Sequence, residues 1–67
     1  MTDYVVVFYL GTEFLFNREN IPVPRVGDIV KNVAPEDTDE YIVKEVCFKF
    51  YKRNENLLSI IVQLEWR

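Results

Sequence analysis

A chain of 67 residues, 49% hydrophobic and 15% aromatic, is built to pack a core; this excludes disorder and leaves length for one domain, 1–67, near the lower limit for a core without disulfide or metal. Eight basic against eleven acidic residues give a net charge of −3, so general attraction to nucleic-acid phosphates is not expected. The single cysteine, Cys47, excludes an internal disulfide and suits a reducing compartment, and with Asp3 in place of a basic leader and no stretch of membrane-spanning length, the expectation is a soluble cytoplasmic protein.

Tyr4 to Leu10 is a run of β-branched and aromatic residues of strand length. Gly11-Thr12 punctuates it, and Glu13 to Phe16 resume with Phe14 and Phe16 on one side, which predicts a β-hairpin. Residues 17–25, NRENIPVPR, contain Pro22 and Pro24 and so exclude a helix interior or a central strand; an extended connecting arm is expected. In VGDIVKNV a Gly-Asp turn leads into a short strand around Asp28 to Val33, and APEDTDE places Pro35 with Glu36, Asp37, Asp39 and Glu40 in an exposed loop.

Two long strands, Tyr41 to Tyr51 and Leu57 to Trp66, are predicted to flank KRNEN, a solvated hairpin loop of about four or five residues. Along the last strand Leu58, Ile60, Val62, Leu64 and Trp66 share the core face. In the strand before it, Tyr41 and Val43 have one parity and Val46, Phe48 and Phe50 the other, so a bulge near Lys44-Glu45 brings all of these inside and leaves Cys47, Lys49 and Tyr51 facing out. No segment holds an apolar period of 3.6 residues. The expected fold is therefore all-β, a small five-stranded, partly open antiparallel barrel in meander order with little or no helix.

The series Pro24-Arg25-Val26-Gly27-Asp28-Ile29-Val30, then Tyr41-Ile42-Val43-Lys44-Glu45-Val46, then a hairpin and Ile60-Ile61-Val62-Gln63-Leu64, resembles small bacterial and phage SH3-like barrels, over roughly residues 24–66. In that pattern a P-x-x-G-D-x-V turn opens one strand and Y-x-V-x-x-V follows in the next. The resemblance implies an SH3-like barrel and an accessory role, in phages or mobile elements, of blocking or sequestering a host component. It does not extend to polyproline recognition, because the A-L-Y-D-Y stretch and paired tryptophans of peptide-binding SH3 domains are missing.

Catalysis is not expected: there is no histidine, Cys47 has no visible activating partner, and Thr38 and Ser59 have no accompanying base. No cofactor or metal is expected either, since the acidic cluster Glu36, Asp37, Asp39, Glu40 lacks the calcium-loop pattern and reads as a solvated loop. Lys44, Lys49, Lys52 and Arg53, with Phe50 and Tyr51 interleaved, resemble a single-strand nucleic-acid platform, but on an acidic chain they read as an outer strand face. Cys47 reads as a small packed hydrophobe and Trp66 as a core or rim side chain.

The first strand is different, because Val5, Val7 and Tyr9 are as apolar as Tyr4, Val6, Phe8 and Leu10 on the opposite parity. The long hairpin adds Cys47, Tyr51, Leu57 and Ile61 to the outward set. These seven are the candidate interface, either with a second copy or with a protein partner; the internal alternative is that arm 17–25, through Ile21, Val23 and the prolines, folds over the strand. The leading functional expectation is a non-enzymatic binding module. A second is a binder of a small anionic, nucleotide-like ligand in pockets between subunits, with Arg18, Arg25, Lys49 and Arg53 as candidate contacts. An acidic nucleic-acid mimic is the third.

Overall fold

The computed structural model describes the backbone of residues 3–67, and their side chains apart from those of residues 3 and 54–57. Five strands, β1 (Asp3–Leu10), β2 (Glu13–Glu19), β3 (Ile29–Val33), β4 (Thr38–Tyr51) and β5 (Asn54–Trp66), form one sheet that curls into an open half-barrel, with no helix among the described residues. The all-β, five-stranded, partly open architecture is the one the alternation patterns indicate.

The strand order is β2-β1-β5-β4-β3, which corrects the expected meander. The β1–β2 hairpin joins the β3–β4–β5 meander through a parallel β1–β5 pairing, from Asp3 opposite Leu57 to Leu10 opposite Leu64. Two features of the sequence account for this. The stretch from Ile21 to Pro24 lies outside regular structure, its prolines being unable to supply a ladder, so it carries the chain to the far edge of the sheet instead of turning back to pair β3 with β2. β1 is apolar on both faces and takes an inner position between β2 and β5, where both of its backbone edges are paired.

Left-handed backbone marks the corners. Asn20 has φ 54°; its N–H donates to the Tyr4 carbonyl at 3.1 Å while its Oδ1 accepts from Tyr4 N–H at 3.2 Å. The Tyr4 hydroxyl donates to the carbonyl of Ile21, and Ile21 and Val23 pack against the core. At the other end of the arm, Gly27 has φ 95°, a conformation that L side chains rarely adopt. The Asp28 carboxylate accepts from Arg25 N–H at 2.8 Å, and reciprocal bonds of 2.9 Å from Gly27 N–H to Val43 O and from Val43 N–H to Asp28 O tie this turn to β4.

The core comprises Val6, Phe8, Tyr41, Val43, Ile60, Val62 and Leu64, with Phe16 stacked on Phe8 at 4.7 Å between ring centroids. The register of β4 against β5 shifts between Val43 and Glu45, the expected bulge, so Val46, Phe48 and Phe50 continue on the core side of the sheet. Three of the side chains assigned to the core are nevertheless exposed: Phe48 by 51%, Phe50 by 76% and Trp66 by 60%. β3 pairs with β4 only over Thr38–Ile42, so among the described residues no strand curls over the far half of β4, and Trp66 lies at the last residue of β5. The hairpin tip is also tighter than expected, with Tyr51 opposite Asn54 and a second register shift beside it.

Candidate interaction face

On the outer side of the sheet the paired registers align the candidate residues in rows. Asn17, Val7, Ile61 and Cys47 lie side by side across β2, β1, β5 and β4. Phe14, Tyr9, Gln63 and Glu45 form the next row, and Glu19, Val5, Ser59 and Lys49 the row on the other side. Strands are about 4.8 Å apart, so side chains in a row touch or nearly touch. The Tyr9 and Phe14 rings meet edge to face at 6.0 Å, and the hydroxyls of Tyr51 and Ser59 are 3.3 Å apart.

A groove of about 480 Å³ runs over this face, with Ile61 and Gln63 contributed by β5, Tyr9 by β1, and Glu45, Cys47 and Lys49 by β4. Of the candidate interface residues, Val5, Val7, Tyr9 and Ile61 are half-buried, while Cys47 and Tyr51 are exposed; the side chain of Leu57 lies outside the described residues. The arm does not cover the outer face. Ile21 and Val23 fill the inner side against the core, so among the described residues the arm supplies no layer over Val5, Val7 and Ile61. Comparison with protein-family models, with curated proteins and with solved structures gives no match.

The four cations proposed as ligand contacts are not brought together. Arg18 is on the core side of edge strand β2, with its guanidinium 5.2 Å from the Phe16 ring centroid. Arg25 is in the Gly27 turn, Arg53 is at the hairpin tip, and only Lys49 lines the outer groove. The acidic cluster expected in one exposed loop is divided: Glu36 and Asp37 lie between β3 and β4, whereas Asp39 and Glu40 are half-buried in β4, where Asp39 accepts a 3.5 Å hydrogen bond from the Tyr41 hydroxyl and Glu40 pairs with Arg67 at 2.9 Å. Among the described residues no three acidic or cysteine side chains converge as metal ligands would.

Burial pushes the Tyr41 hydroxyl above the ordinary tyrosine pKa, and the negative charge of Asp39, its hydrogen bond, and the more distant charges of Glu13 and Asp37 act in the same direction. The shift favours the neutral phenol, whose ring lies against Trp66 and belongs to the core.

Parity arguments missed a second apolar surface, on the core side of the far half of the hairpin. Phe48 and Val46 line a groove of about 330 Å³ with Val23, Pro24, Arg25 and Val26 of the arm. Alternation assigns a face but not the point at which its cover ends. The available signal was the difference in length between the short β3 strand and the long β4–β5 hairpin.

Proposed function

We propose that the chain is a non-enzymatic interaction module whose working surface is the outer face of β1 and β5 together with the adjoining half of β4. The observation that supports this reading is the course of the arm: it packs on the core side, so among the described residues it puts no cover over Val7, Ile61 and Tyr9. Apolar groups contribute roughly 25 cal/mol for each Å² removed from water, and a protein surface laid on this groove gains that energy, with Lys49 and Glu45 at its margin to set orientation.

The likeness to small SH3-like barrels belongs to the same proposal, and with it a cytoplasmic accessory role of blocking or sequestering a larger component. Its support is the P-x-x-G-D turn, in which Gly27 takes positive φ and Asp28 closes the turn on Arg25.

Affinity capture with the wild-type chain and with Ile61→Glu, read by quantitative mass spectrometry and with folding checked by circular dichroism, tests the reading. A protein retained by the wild type and by Phe50→Ala but lost from Ile61→Glu supports it. Capture that is the same for all three variants overturns it, and an unfolded Ile61→Glu would assign Ile61 to the core.

A further inference from the structure

The face described above is one surface; the free edge of β4 is another, and what binds there does not depend on the reading of the face. β3 pairs with β4 from Thr38 to Ile42, and the Gly27–Asp28 backbone extends that ladder to Val43. From Lys44 to the hairpin tip, no strand among the described residues pairs with this side of β4. A long strand edge of this kind presents a row of backbone donors and acceptors to any chain that can pair with it. The two formal edge strands are different: β3 has five residues, and β2 carries Glu13, Arg18 and Glu19 and is bulged opposite Phe8 and Tyr9.

We propose that the occupant is a second copy of this chain, paired antiparallel through Lys44–Phe50 about a two-fold axis at Cys47. The limits of the regular free edge suit this register, because the Gly27–Asp28 turn closes it at Val43, the second register shift, between Phe50 and Tyr51, ends it at Phe50, and Cys47 is the midpoint of Lys44–Phe50. The charges agree with it. Centring on Cys47 places Glu45 opposite Lys49 of the second copy and, by symmetry, Lys49 opposite its Glu45, all four on the outer face.

On the core side the same register sets Val46 against Phe48 of the second copy, an aromatic and β-branched cross-strand pair, and covers part of a ring that is 51% exposed in the single chain. Moving the axis to Val46 or Phe48 separates Glu45 from Lys49, and moving it to Glu45 or Lys49 sets that residue against its own copy. Centring on Cys47 thus gives two opposite-sign pairs that these neighbouring registers lose. The resulting sheet is continuous across both copies, so the two outer grooves lie side by side.

Light scattering on a sizing column over a range of concentrations tests the pairing, using the wild type, Glu45→Lys, Lys49→Glu and the double reversal. Both side chains are exposed, so folding is expected to survive each change and is checked by circular dichroism. A concentration-dependent mass of twice 8.0 kDa is expected for the wild type. Each single reversal puts like charges opposite one another twice and is expected to weaken the dimer by about tenfold or more, while the double reversal restores it. Mild oxidation with copper-phenanthroline is expected to link the wild-type copies through Cys47, two thiols giving up two protons and two electrons to the oxidant as one S–S bond forms.

A wild-type monomer at every concentration overturns the proposal, as does a dimer indifferent to both single reversals. Ile61→Glu separates this pairing from the outer-face reading. It should leave the dimer intact while abolishing capture of a partner, and a dimer lost in Ile61→Glu but retained in the charge variants would assign self-association to the face and overturn the edge pairing.

Discussion

The indole of Trp66 lies against the ring of Tyr41, with centroids 4.9 Å apart and planes inclined by 34°. The two residues are opposite one another where β5 ends and β4 begins, so a side chain that is 60% exposed roofs one that is only 3% exposed. The tryptophan works as a lid on the core. Trp66→Ala is expected to destabilise the fold by about 1–2 kcal/mol, from the lost ring pair and the partial exposure of Tyr41. Urea denaturation followed by far-ultraviolet circular dichroism measures it; an unchanged midpoint would mean that the ring pair contributes nothing.

Tyr41 also makes the fold sensitive to alkali. Burial first, and then the charge and hydrogen bond of Asp39, hold its pKa above the unfolded value of 10.0. A raised folded pKa favours the neutral phenol, so this contribution to stability is fully present below about pH 10 and is lost as the pH rises through the folded value. On going from about pH 8 to about pH 11, wild-type stability is expected to fall more steeply than that of Tyr41→Phe, which has no proton to release. The variant is the control that removes the contribution of the other tyrosines; parallel slopes would remove Tyr41 as the cause.

Phe8 and Phe50 occupy the same side of the sheet but are expected to respond in opposite ways. Phe8 is 4% exposed and stacked on Phe16, whereas Phe50 is 76% exposed. Phe8→Ala removes a packed ring and should cost about 3–5 kcal/mol, enough to unfold a domain this small. Phe50→Ala should change the stability of the monomer by less than about 0.5 kcal/mol. Thermal melts at low protein concentration compare the two, and a large loss for Phe50→Ala would restore it to the core.

The contrast between these two phenylalanines also marks what could be read from the sequence. The five strands, the Lys44-Glu45 bulge and the inward parity of Ile60, Val62 and Leu64 follow from local patterns of period two and are present, although β2 runs on to Glu19 where the arm is expected to begin, β4 starts at Thr38 within the expected loop, and β5 starts at Asn54. The parallel β1–β5 pairing is a long-range choice, settled by where the arm carries the chain, and no local pattern encodes it. Within the candidate face, alternation was enough to assign Val5, Val7, Tyr9, Cys47 and Ile61 to the outer side, because β1 and β5 keep register over their whole contact. The groove between Phe48 and the arm depends on how far β3 reaches, and for that reason Phe48 and Phe50 looked like core residues. The four cations could not be grouped by their positions in the chain, since they fall on a strand, a turn, the long hairpin and its tip.

Gly27 offers the most direct test of the corner on which the sheet closes. Its φ of 95° is unfavourable for any residue with a Cβ, yet a Cβ built there meets nothing within 4 Å. Gly27→Ala therefore isolates backbone strain from steric crowding, and the cost expected from conformation alone is about 1–2 kcal/mol. The change acts where Gly27 N–H and Asp28 O bond Val43, so it should loosen the start of β3 before it affects β1 or β5. Hydrogen exchange resolves the difference: the amides of Gly27 and Val43 should lose protection in Gly27→Ala while those of Val6 and Val62 keep theirs relative to the new global stability. Uniform loss of protection would mean that the corner opens only with the whole sheet.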